Sequence, residues 1–138
     1  MKCRPIVSHG SGKGGRREDL GIYVRSSWEA NYARYLNFLV AHDQLIKWEY
    51  EPDTFWFEGI KRGTRSYTPD FKLYEKNGDI KYIEVKGYMD AKSATKLKRM
   101  KKYHPGVVIE LVQGKEMKEI KNKVGSLIAW ETNKNQKL

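Results

Sequence analysis

After Ile46 the side chains of residues 45–51 alternate apolar and polar, the period of a strand with one buried face. Phe71-Lys72-Leu73-Tyr74 reads the same way and continues a strand that begins at Ser66-Tyr67-Thr68-Pro69-Asp70. Asn77-Gly78 is a strong hairpin turn signal, so residues 80–86 are expected to return antiparallel to it. On that returning strand Glu84 and Lys86 leave one face, while Ile83 and Val85 leave the other and can be buried. Thr54-Phe55-Trp56-Phe57 predicts a short aromatic strand, followed by a basic loop over residues 58–65.

Helical spacing governs two other stretches. Residues 22–41 read as a first helix, with Ser26 or Ser27 as N-cap and Trp28, Tyr32, Tyr35, Leu36 and Leu39 on its apolar face. Glu29 falls in the first turn, on the flank of that face and in line with Ala33 and Leu36. Asp90 is an N-cap for a helix over residues 91–103, stopped by His104-Pro105-Gly106. Ala94, Leu97 and Met100 can pack that helix on a sheet. Residues 107–112 then predict an internal strand that a helical crossover can lay parallel to residues 80–86. A last helix is expected over residues 115–124, with Leu127–Trp130 extending it or packing separately and a polar, frayed end from Glu131 to Leu138.

Composition narrows the partner. Among 138 residues, 27 Lys and Arg stand against 17 Asp and Glu, a formal net charge of +10. Such an excess points to a polyanion, nucleic acid above all. The length predicts one domain, residues 21–138, behind a flexible basic arm over residues 1–20. Gly10-Ser11-Gly12-Lys13 has the wrong spacing for a phosphate loop and no apolar strand before it. One cysteine, Cys3, and three histidines, His9, His42 and His104, supply neither a disulfide nor a four-ligand zinc site. No apolar run has the length of a membrane span, and the first residues are polar, so a cytoplasmic location is expected.

The candidate chemistry lies in Pro69-Asp70 and Glu84-Val85-Lys86. A carboxylate and an amine on one face of an apolar strand are costly unless used. Two carboxylates that can converge beside a lysine suit a divalent cation and a phosphodiester. Taken alone, Glu84 and Lys86 also fit a surface ion pair, Asp70 an ordinary turn and Glu29 a capping residue.

Together, Pro69-Asp70, Glu84-Val85-Lys86 and Glu29 within Arg25-Ser26-Ser27-Trp28-Glu29-Ala30 resemble the PD-(D/E)xK nuclease superfamily, over roughly residues 22–112. Within it the chain is most similar to small phage Holliday-junction endonucleases and transposon end-cleaving nucleases. The resemblance implies an α/β fold with a restriction-endonuclease-like core, a central mixed β-sheet flanked by helices. It implies Mg²⁺, with Mn²⁺ able to substitute, held by Asp70, Glu84, the Val85 carbonyl and Glu29, with Lys86 beside the attacking water. It also implies cleavage of DNA, branched duplex being the expected substrate, by a homodimer of a phage or mobile element. Arg62, Arg65, Lys92 and Lys96, with Arg16 and Arg17 in the arm, are the expected DNA contacts. The other lysines of residues 91–103 equally fit a solvated helix face, while Lys92 and Lys96 lie nearest the motif end. Glu49 and Glu51 are left as ligands or as structural acids. A non-catalytic nucleic-acid-binding module, a sequence- or end-specific DNA nuclease, and an RNA-cleaving enzyme are the competing readings.

Overall fold

The computed structural model describes residues 13–132, and Cys3, His9, the Gly10-Ser11-Gly12 stretch and residues 133–138 lie outside the described residues. The chain divides into two compact units, Met1–Ala41 with Lys115–Leu138, and His42–Gly114. The sequence expectation is one domain, residues 21–138, behind an arm whose residues 1–12 lie outside the described residues.

In the first unit, β1 (Lys13–Arg17) pairs antiparallel with β2 (Ile22–Ser26). Residues 13–17 are therefore a strand and not part of an arm, and residues 22–26 are a strand and not the start of a helix. Ile22, Tyr23 and Val24 favour a strand, and the Gly21 turn, at φ 70°, gives them a partner. At Gly14 the hairpin is tight, since a Cβ there would lie 2.8 Å from the Val24 carbonyl oxygen. Helix α1 (Ser27–Ala41) starts where Ser26 Oγ accepts the Glu29 N–H at 3.1 Å. Its most buried positions are Ala30, Ala33 and Leu36, and Tyr32 and Leu36 of the expected apolar face are buried, whereas Trp28, Tyr35 and Leu39 are only half-buried.

Helix α3 (Gly114–Val124) leads back into this unit, whose end is tied by side chains. Glu131 accepts from Arg17 at 2.8 Å and from Arg34 at 2.7 Å. Asn31 closes a pair of hydrogen bonds with the Glu131 backbone at 2.8 and 2.9 Å, and Arg34 also donates to Asp19 at 2.8 Å. Glu131, expected in a frayed end, is thus a fixed anchor.

The second unit holds a mixed four-stranded sheet, with β3 (Lys47–Tyr50), β6 (Phe71–Tyr74), β7 (Ile80–Val85) and β8 (Ile109–Val112) adjacent in that order. The first two pairings are antiparallel and β7–β8 is parallel. The β6–β7 turn closes with Gly78 at φ 95° and the Asp79 N–H bonded to Asn77 Oδ1 at 2.9 Å. A parallel partner needs a long crossover. It is α2 (Ala91–Tyr103), capped by Asp90, whose carboxylate accepts the Ser93 N–H at 2.8 Å.

The motif strand is interrupted. Ser66–Tyr67 (β5) pairs with Phe55–Trp56 (β4) in a separate two-stranded ribbon, and the chain bends through 68–70 before joining the main sheet as β6. Pro69 has no N–H to give a ladder, which suits it to the break. The ribbon and α2 share a core of Phe57, Tyr67 and Met100, with Leu97, Tyr103 and Ile109 packed against it. Among the described residues no helix is long and apolar enough to cross a membrane.

Candidate active site

The end of β7 gathers two acids. Phe71 pairs with Ile83 at the end of the β6–β7 ladder, and Asp70, in the bend just before it, reaches the Glu84–Val85 end of β7. Asp70 is 6% exposed, and its Oδ2 accepts the Val85 N–H at 2.8 Å. This side chain takes the place a strand carbonyl would have held, which fixes the carboxylate at the end of β7. Glu84 is 9% exposed, and its Oε1 accepts the Tyr67 hydroxyl at 2.6 Å. Its other oxygen, Oε2, lies 3.8 Å from Lys86 Nζ.

Charge around Glu84 is finely opposed. Burial pushes its carboxyl above the usual range, and the negative charge of Glu51 adds to this, while Tyr67, Lys86 and Lys96 work against it. Tyr67 is held neutral, its phenol pushed far up by burial and by the charges of Glu84 and Asp70. Glu51 itself sits at φ 48°, a left-handed conformation uncommon for a residue with a side chain, and its N–H donates to the Asp70 carbonyl at 2.8 Å.

The break at Pro69 explains why Tyr67 escaped the sequence. Three positions apart on an unbroken strand, Tyr67 and Asp70 would leave opposite faces. The bend resets that alternation, and both reach the Glu84–Val85 segment.

In the same unit a cleft of about 310 Å³ is lined by Trp56, Thr64, Arg65, Ser66, Lys92 and Lys96, together with Gly63. Lys96 connects it to the carboxylates, since its charge is felt by Glu84. Of the expected nucleic-acid contacts, Arg65, Lys92 and Lys96 are brought together here.

No family model, curated protein or solved structure matches this chain.

The remaining expected residues fall elsewhere. Arg62 is exposed in the loop that precedes β5, and Arg16 is exposed 3.9 Å from Glu18. Arg17 is a correction: its side chain is 11% exposed and clamped to Glu131, so it is spent on folding rather than open to phosphate. Glu29 belongs to the first unit, where its Oε1 accepts the Arg25 N–H at 3.1 Å and so helps cap α1. Glu49 accepts the Tyr74 hydroxyl at 2.7 Å, a structural employment, whereas Glu51 bears on the site.

Among the described residues no three His, Cys, Asp or Glu side chains form a group that could hold a metal ion. The second unit supplies a pair, Asp70 and Glu84, on adjacent strands. A pair is what Mg²⁺ ordinarily takes from protein, the rest of its octahedron being water and substrate phosphate. The hard, buried oxygens of Asp70 and Glu84 fit that pattern.

Proposed function

We propose that the chain is a Mg²⁺-dependent endodeoxyribonuclease with a restriction-endonuclease-like core, acting on branched DNA as a homodimer. The observation that carries this reading is that buried Asp70 and Glu84 both lie at the end of β7, Asp70 bonded to the Val85 N–H at 2.8 Å and the Lys86 ammonium 3.8 Å from Glu84. Burying two carboxylates side by side is unfavourable without a cation to share them. The Arg65–Lys92–Lys96 cleft in the same unit suits a phosphodiester backbone.

Each side chain has a distinct task. Val85 orients Asp70, and Tyr67 holds one oxygen of Glu84 so that the other is aimed toward Lys86. Asp70, Glu84 and the Val85 carbonyl would hold the ion. When bound, Mg²⁺ supplies a Lewis acid for the phosphate and lowers the pKa of its own water. Lys86 steadies the anion that develops on the phosphate oxygens. Arg65, Lys92 and Lys96 position the strand.

The test is cleavage of linear, flap and four-way DNA, with RNA alongside, in Mg²⁺ and in EDTA. Wild type is expected to cut DNA in Mg²⁺ alone, and Asp70→Asn and Glu84→Gln to bind without cutting. Equal cleavage by wild type and both variants would overturn the assignment of the site. Binding by wild type with no cleavage of any substrate would leave the second reading, a basic nucleic-acid-binding module. That reading needs only the cleft and its exposed Trp56.

A further inference from the structure

Trp56 is out of keeping with its neighbours. Phe55 packs edge-on against Tyr82, and Phe57 belongs to the core, yet the indole between them is 62% exposed. Adjacent residues on a strand point to opposite faces, so a half-buried Phe55 and a buried Phe57 put Trp56 outward. Trp56 lines the cleft whose other members include Arg65, Lys92 and Lys96.

The platform is held in place. The Trp56 carbonyl accepts from His104 Nε2 at 2.9 Å at the end of α2, and its strand partner is Ser66. Across the cleft, the Thr64 carbonyl accepts from the Arg99 guanidinium of the same helix. Both the aromatic strand and the basic loop are therefore fastened to α2, which also carries Lys92 and Lys96. A flat π-face on an anchored backbone beside three cations matches a nucleotide: phosphate to the cations, base to the indole.

We infer that Trp56 is a stacking platform for an unpaired DNA base, so that the cleft captures a single-stranded or splayed nucleotide rather than a closed duplex. A base inside a duplex has both faces covered by its neighbours, and only an unstacked base can lie on an indole. Arg65, Lys92 and Lys96 take the flanking phosphates, and Lys96, whose charge reaches Glu84, sets that nucleotide next to the carboxylate pair. This deepens the nuclease reading and rests on it for the cutting step, but the capture itself needs no cleavage.

The experiment measures binding alone. Fluorescence anisotropy in EDTA at fixed salt compares a labelled oligothymidylate, a strand of equal length with abasic spacers at its central positions, and a paired duplex. Wild type is expected to favour the strand with bases over the abasic one. Trp56→Ala is expected to weaken binding of the strand with bases by roughly tenfold, and to bind the abasic strand as wild type does. Trp56→Phe, which keeps a π-face, restores most of the lost affinity. Equal losses on all three probes, no loss on any, or a Trp56→Phe as weak as Trp56→Ala would overturn the inference. Because the exposed indole supports no core, circular dichroism melts of both variants should match wild type, and a fall in melting temperature that tracks the binding loss also overturns it. Absence of Mg²⁺-dependent cleavage would remove the nuclease reading and leave these binding results standing.

Discussion

Asp70 Oδ2 accepts the backbone N–H of Val85 at 2.8 Å, so one proposed metal ligand also completes the β7 ladder. This dual employment determines which substitution can test the site. Asp70→Ala strands a buried amide, at a cost of about 1–3 kcal/mol. Asp70→Asn keeps an oxygen to accept it. We expect Asp70→Asn to melt close to wild type and Asp70→Ala to melt roughly 5–10 °C lower, while both lose cleavage. Thermal denaturation beside the cleavage assay separates the two effects.

Glu84 is expected to be a liability to the metal-free fold. Burial, the largest influence, raises its carboxyl above the unfolded value. Ionising it therefore works against folding, and the cost sets in as pH rises from the unfolded value through the folded one. Glu84→Gln removes the charge and keeps an oxygen for the Tyr67 hydroxyl. In EDTA at neutral pH this variant should melt about 2–4 °C above wild type, with the gain shrinking as pH falls. A variant that melts below wild type at every pH would show that the carboxylate is a stabilising group.

Acid sensitivity should reside in the other unit. Hydrogen bonding from Arg34 holds Asp19 below its ordinary value of 3.8. For Glu131, burial acts to raise the carboxyl, but Arg17 and Arg34 together prevail and hold it below 4.5. Folded values below unfolded ones mean that this support is complete above the unfolded values and is lost as pH falls through the folded ones. Glu131→Gln should cost about 2 kcal/mol at neutral pH. Its stability should also fall less between pH 5 and pH 3 than that of wild type, read from urea melts across that range.

Salt dependence distinguishes open from committed arginines. Arg65 lines the cleft, whereas Arg17 is held by Glu131. Arg65→Gln should weaken DNA binding and lower the slope of log affinity against log salt by about 1, the loss of one phosphate contact. Arg17→Gln should leave that slope alone and lower the melting temperature. A reversal of the two outcomes would return Arg17 to the phosphate contacts.

Local chemistry made much of the second unit legible. The Asn77-Gly78 turn, the alternation through 80–86, the Asp90 cap and the stop at His104-Pro105-Gly106 depend on neighbours a few residues apart, and each appears where expected. They are enough to bring Asp70 to the end of β7 that carries Glu84 and to make β8 parallel to β7. The first unit was less legible because Ile22-Tyr23-Val24 could serve either period, and only pairing with 13–17 makes it a strand.

What the amino-acid order alone determined is the set of short-range geometries: turn, caps, strand period, and a shared face for Glu84 and Lys86. What the tertiary structure decided is the environment of those groups. The burial of Glu84, its bond from Tyr67, the gathering of Trp56, Arg65, Lys92 and Lys96, and the commitment of Arg17 to Glu131 across 114 positions come from packing. Desolvation and hydrogen bonding between distant residues depend on which surfaces meet, and no periodicity along the chain records that.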